Sequence, residues 1–220
     1  MKPYFVKTPK FVKWIFPKRI WAFSRLEKGV HLTFDDGPIP EVTPWILDLL
    51  KEYNAKATFF CIGENVAKHP EIFKRILAEG HSVGNHTFNH LNGWKTKTSE
   101  YIENILKSER TMIKNSEFRI QNSELIFRPP YGKMTLKQSK ILQQKGYTVM
   151  MWDVLSADFD QHISEEKCLQ NVLKNIENGS IIVFHDSLKA EKNLRYVLPK
   201  VLKFLTNKNF LINDQIITSH

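Results

Sequence analysis

Several residues in this chain have types and spacings suited to hydrolytic chemistry. Asp35 and Asp36 stand side by side, followed by the turn-forming pair Gly37-Pro38. His86 and His90 lie four residues apart, and Arg128 precedes Pro129-Pro130-Tyr131. Asp158 and His185 come later, His185 at the end of an apolar run. An i, i+4 histidine pair faces one side of a helix, and a compact loop can bring the rings together equally well. With one carboxylate such a pair makes a two-His, one-carboxylate metal site that leaves positions open for water and substrate. Two adjacent aspartates point differently from a strand end, so one can ligate a metal while the other stays free as a base. Taken singly, each fragment is commonplace: Asp-Asp-Gly-Pro is a frequent turn, and His185-Asp186 could be a satisfied strand-end pair. Their order along the chain is what carries meaning.

The elements that must position these groups alternate between strand and helix. Residues 30–34, 57–62, 81–85, 125–128, 147–154 and 180–184 read as strands, the last as a near-continuous apolar run typical of a strand buried on both faces. Helical patterns fill the intervals. Thr43 reads as an N-cap before Pro44, Pro70 starts a helix that Gly80 stops, and Thr135 with Gln138 forms a capping box. Further helices cover residues 99–114, 164–177 and 194–205, and the polar stretch 115–123 reads as an exposed loop. Alternating strands and helices imply a parallel sheet, open or closed into a barrel. In such folds sites collect at the carboxyl ends of strands. Titratable groups follow nearly every predicted strand here.

At 220 residues and 25.8 kDa the chain suits one domain with a sizeable core. An apolar fraction of 42% with 25% charged residues excludes disorder as the main state. The net charge of +9 is spread along the chain rather than gathered, and no nucleic-acid motif accompanies it, so no nucleic-acid partner is expected. Cys61 and Cys168 form no ligand spacing and are expected as reduced thiols. Residues 1–29 are basic and aromatic; Pro3, Pro9 and Pro17 work against a long amphipathic helix. The expectation is an arm that packs its aromatics across the domain, with weak peripheral membrane contact as the other reading. No apolar stretch reaches membrane-span length and no small-residue cleavage site follows, so a mature, cytoplasmic protein is expected. The sequence leaves the oligomeric state open, with a monomer favoured.

The ordered blocks resemble the polysaccharide deacetylase family, the NodB-like carbohydrate esterases. Three match fully: Thr33-Phe34-Asp35-Asp36-Gly37, His86-Thr87-Phe88-Asn89-His90 and Arg128-Pro129-Pro130-Tyr131-Gly132. The fourth block, residues 153–159, has Phe159 where tryptophan or tyrosine is usual. In the fifth, Val183-Phe184-His185, valine replaces a usual leucine. Both changes keep an apolar wall. The resemblance covers about residues 30–210 and implies a distorted (β/α) barrel, with a catalytic domain at 30–212 and a tail at 213–220.

The resemblance also implies roles. Asp36, His86 and His90 would bind a divalent metal, most often zinc, with cobalt, nickel or manganese as other occupants. Asp35 would be the general base, oriented by Arg128. The backbone N–H of Tyr131 would help hold the oxyanion. His185 would be the general acid, oriented by Asp158; an amide expels a poor leaving group and needs one. Trp152, Phe159 and Phe184 would line a small pocket, though Trp152 reads equally well as a core aromatic. Trp94 would stack on a sugar at the rim or simply pin its loop. The implied reaction is metal-dependent removal of N-acetyl groups from N-acetylglucosamine-type residues of a glycan, with acetate released. The alternatives are an amidase acting on a non-sugar amide and a glycan-binding module without turnover. A binding module has no need of both Asp35 and His185.

Overall fold

The computed structural model describes residues 4–26, 28–116 and 125–212. Most of the polar stretch at 115–123 and the whole tail at 213–220 lie outside them. The sheet is parallel throughout and runs β5-β4-β3-β2-β1-β7-β6. Its strands are β1 (Gly29–Asp35), β2 (Ala57–Cys61), β3 (Ser82–Asn85), β4 (Ile126–Phe127), β5 (Thr148–Val149), β6 (Val154–Leu155) and β7 (Ser180–His185), and β8 (Leu211–Ile212) pairs with the start of β1. The helices are α1 (Lys10–Ile15), α2 (Thr43–Glu52), α3 (Gly63–Lys68), α4 (Pro70–Ala78), α5 (Thr98–Asn115), α6 (Leu136–Gln144), α7 (Glu165–Leu173) and α8 (Glu191–Asn207). The sheet curls into the distorted barrel expected from the sequence.

β1 lies at the centre and is buried along its whole length. Its two faces have separate work. Leu32 and Phe34 pack outward with Ile46, Leu50, Phe184, Leu198 and Val201, forming the main core between sheet and helices. Thr33 and Asp35 point the other way, toward the buried guanidinium of Arg128. A strand's period of two is what places a functional residue beside a core residue.

The two ends of the sheet, β5 and β6, do not pair with each other among the described residues. The N-terminal segment runs along both. Ile20 bridges Met150 in parallel, while Lys7 bridges Val154 and Ala22 bridges Ser180 in antiparallel sense. Trp21 is buried in this seam, whereas Phe5, Phe11 and Trp14 stay exposed.

Some elements differ from the sequence reading. Residues 147–154 are not one strand: β5 and β6 are separate two-residue strands at opposite ends of the sheet. The break falls at Asp153, whose buried carboxylate takes bonds from Lys7, Lys13 and Ser180. Thr43 is not an N-cap but the first residue of α2. Its hydroxyl accepts from the Ile39 N–H and donates to Asp186. The short elements α1, α3 and β8 leave too little periodicity to be read in advance. The capping box at Thr135–Gln138 forms as expected, and the Ser164 side chain caps α7 by accepting from the Lys167 N–H. Both cysteines are free and buried. No described helix is long and apolar enough to cross a membrane.

Candidate active site

Asp36, His86 and His90 converge at the carboxyl end of the sheet, with one ligand atom from each lying within 4.8 Å of the others. Asp36 Oδ1 is 3.3 Å from His90 Nε2 and 3.8 Å from His86 Nε2. These three side chains fit a divalent metal on three counts. Asp36 Oδ1 is buried and accepts no hydrogen bond, an orphan that folding tolerates poorly without a partner. The Nδ1 of His86 lies 2.8 Å from the Arg128 carbonyl, so Nδ1 carries the proton and Nε2 is left as a bare donor. The Nδ1 of His90 lies 3.0 Å from the Tyr131 hydroxyl. Burial lowers the His86 pKa to about 4 and lowers that of His90 too, which keeps both rings neutral as ligation requires.

The histidines sit on a loop rather than a helix. Thr87 and His90 both have positive φ, at 67° and 60°. Neighbouring helices brace this loop: Gly63 and Glu64 at the start of α3 donate to the carbonyls of Thr87 and Phe88, and Asn104 of α5 accepts from the Phe88 N–H. Asp36, Tyr131 and Ala157 also have positive φ, at 91°, 59° and 61°. Of seven non-glycine residues with positive φ among those described, these five lie on strand-end loops around the site. Such clustering of costly backbone is a mark of functional loops.

Two buried carboxylate pairs flank this Asp-His-His cluster. Arg128 is fully buried; its Nη1 donates to Asp35 Oδ1 and to Thr33 Oγ1, both at 2.7 Å. Its Nη2 donates to the Met151 carbonyl at 2.8 Å, which fixes the guanidinium plane. Burial alone would raise the Asp35 pKa, but Arg128, with His86 and His185, holds it below the usual carboxylate value. Asp158 accepts twice from His185, from Nδ1 at 2.7 Å and from the backbone N–H at 2.8 Å. Burial works to lower the His185 pKa, yet Asp158 outweighs it and the group stands at about 9. Asp35 and His185 are register partners on β1 and β7, so the two pairs share one rim.

Other predicted positions fall differently. Tyr131 is exposed at the mouth beside His90. Phe159 meets the His185 ring edge-on at 4.9 Å between centroids. Trp152 is half-buried, packs on two core clusters and crowds Gly132, where a Cβ would come within 2.7 Å of its ring. Trp94 donates from Nε1 to the Met134 carbonyl, and 64% of it is exposed. Phe184 does not line the pocket: it is fully buried in the main core, stacked on Phe34 at 5.8 Å. Its neighbour His185 takes the inward face, so the alternation of β7 sends Phe184 to the helices.

Asp186 does more than complete a strand-end pair with His185. Its carboxylate accepts from the Gly37 N–H at 2.8 Å and from Thr43 Oγ1 at 2.7 Å, and its own N–H donates to the Asp35 carbonyl. A Cβ at Gly37 would lie 1.8 Å from Asp186 Oδ2, so only glycine permits the contact. Burial pushes the Asp186 pKa up to about 8. Asp186 thus pins the turn that carries Asp35 and Asp36. Its signal was the turn itself, which needs an acceptor for its backbone donors.

The polysaccharide deacetylase family model matches residues 24–150. The chain belongs to the polysaccharide deacetylase family. A peptidoglycan-N-acetylglucosamine deacetylase of Bacillus cereus is 41% identical over 172 residues, which is 77% of this chain and 61% of that protein. The chain therefore spans less than two thirds of that relative. A solved peptidoglycan N-acetylglucosamine deacetylase superposes with a TM-score of 0.84 at 34% identity, covering 94% of both chains. A Bacillus anthracis protein described as a CE4 family pseudoenzyme superposes with a TM-score of 0.77 at 25% identity, covering 89% of this chain and 66% of that one. The fold thus houses both active and inactive members, and the side chains must decide between them.

Proposed function

We propose that this polysaccharide deacetylase family member hydrolyses the N-acetyl amide of N-acetylglucosamine-type residues in a glycan, releasing acetate and leaving a free amine. The observation that carries this reading is the joint presence of an Asp-His-His cluster and two separately buried pairs, Arg128–Asp35 and Asp158–His185, on one rim. A binding module gains nothing from holding a carboxylate ionised and an imidazole protonated side by side.

In this reading Asp36, His86 and His90 hold a divalent cation, zinc by preference for two imidazoles and a carboxylate. When bound, the cation supplies Lewis-acid polarisation of the amide carbonyl and acidifies the attacking water. Asp35, kept ionised by Arg128, takes a proton from that water. The backbone N–H of Tyr131 donates to the carbonyl oxygen as charge develops on it. His185, kept protonated by Asp158, gives its Nε2 proton to the departing nitrogen as the C–N bond breaks. Tyr131, Trp152 and Phe159 shape the acetyl pocket, and Trp94 offers a sugar-stacking face at the rim.

The catalytic domain is read as residues 30–212, acting as a monomer. Phe11 and Trp14 on α1, flanked by exposed Lys10 and Lys18, support weak contact with an anionic membrane surface. Acetate release from N-acetylated glycans, with peptidoglycan and chitin oligomers in one panel, tests the proposal. Turnover should stop on chelation and return with zinc. Metal-dependent binding with no acetate from any glycan would leave the binding module as the answer.

A further inference from the structure

The N-terminal segment reaches the catalytic rim. Lys7 bridges Val154 in antiparallel sense, the Leu155 N–H donates to the Val6 carbonyl at 2.8 Å, and the Thr8 N–H donates to the Asp153 carbonyl at 2.9 Å. An antiparallel segment travels up β6 as its numbers fall. At roughly 3.3 Å per residue, Tyr4 lies about 10 Å beyond Lys7 in the direction of the strand's carboxyl end. There its hydroxyl donates to Asp160 Oδ2 at 2.9 Å. Its ring meets Phe159 edge-on at 5.7 Å between centroids, and Phe159 in turn meets the His185 ring at 4.9 Å.

We propose that Tyr4 is a positioning residue for the deacetylation reaction: its ring backs Phe159, and Phe159 holds the imidazole of His185 at the angle from which it protonates the leaving amine. The proposal rests on the deacetylase reading above. Asp158 holds the His185 ring through Nδ1 alone, its second bond going to the backbone N–H, and a single ring bond leaves the imidazole free to tilt about it. A flat aromatic against the ring face or edge removes the tilt. Phe159 carries no polar handle of its own to fix its rotamer. Tyr4 supplies one by packing on Phe159 while its hydroxyl is tied to Asp160, the next residue in the chain. Lys189 also places its ammonium 5.8 Å from the Phe159 ring centre. Tyr4 lies outside the 24–150 span of the family match.

The test compares Tyr4→Ala and Tyr4→Phe with the full-length wild type. General-acid catalysis is worth about 10²–10⁴-fold, and tilting the acid should forfeit part of it. Tyr4→Ala should therefore lower kcat roughly tenfold on an N-acetylglucosamine oligomer, with KM within about twofold, and leave an activated aryl acetate within about twofold. Tyr4→Phe keeps the ring but loses the tie to Asp160, and its amide kcat should fall between wild type and Tyr4→Ala. Equal losses on amide and ester, no loss on either, or a rise in KM alone would overturn the proposal. A second readout needs no turnover: the His185 Cε1–H resonance of the metal-free protein should move in Tyr4→Ala, because Phe159's ring current shifts with it. An unmoved resonance would overturn the contact pathway. A resonance that moves in Tyr4→Ala while the wild type releases no acetate would sink the deacetylase reading and leave the contact between Tyr4, Phe159 and His185 intact.

Discussion

Two aspartates that adjoin in sequence are given opposite electrostatic surroundings at this site. Asp35 faces a buried guanidinium, while Asp36 presents an unbonded oxygen to two neutral imidazoles. Asp35→Asn should cut turnover by about 10²–10⁴-fold while the protein retains its metal, as measured by elemental analysis beside the rate. Loss of metal in Asp35→Asn with retention in Asp36→Asn would exchange the two roles. His185 invites a pH test. Its pKa is raised to about 9, so the imidazolium persists through neutrality and is lost as pH rises past that value. Activity on an amide should fall along an alkaline limb near pH 9. Asp158→Asn removes the main support of the charge and leaves the burial that opposes it, so the limb should move to lower pH. A limb that stays in place in Asp158→Asn would detach His185 from the acid role.

At the scale of elements, Asp153 joins the arm to the barrel. Its fully buried carboxylate accepts from Lys7 Nζ at 2.7 Å, Lys13 Nζ at 2.5 Å and Ser180 Oγ at 2.7 Å, with Arg25 Nη2 at 3.3 Å. Burial pulls its pKa up, but the lysines and the serine prevail and hold it at about 2. A depressed carboxylate contributes stability that is present above the ordinary pKa near 4 and is lost as pH falls toward 2. Asp153→Ala should cost about 3–5 kcal/mol, because it strands lysines that are themselves partly buried. Limited proteolysis should then cut within residues 4–25; an arm as resistant as wild type would show that the apolar seam around Trp21 suffices. The same residue marks where the sequence was illegible. Alternation through residues 147–154 reads as one strand because the partners of Asp153 are far away in sequence. The places of Asp36, His86, Arg128, Asp158 and His185 near strand ends were legible because each strand's pattern is local, while their roles came from the resemblance alone. Phe184 was misread because a family block lists neighbours without saying which face each takes. Asp186, Asn104 and Tyr4 were overlooked because their roles depend on tertiary contacts that no spacing encodes.

For the molecule as a whole, the proposed metal ligands connect the centre of the sheet to its neighbouring loops. Asp36 follows β1, and His86 and His90 follow β3, with α3, α5 and β7 bracing the two loops. The unfolded chain cannot hold these three donors together, so a cation binds the folded state selectively and its binding energy appears as stability. At a free concentration a hundredfold above Kd the gain is about 2.7 kcal/mol. For a chain of this size each kcal/mol moves Tm by roughly 2–4 °C, so zinc-loaded protein should melt about 5–10 °C above chelated protein. His86→Ala removes one of three ligands and should abolish the difference along with the bound metal. The apo variant should still fold, at a lower Tm than apo wild type, because it loses a buried ring and its bond to the Arg128 carbonyl. Equal melting of loaded and stripped wild type, or full metal occupancy in His86→Ala, would take the cation away from this cluster.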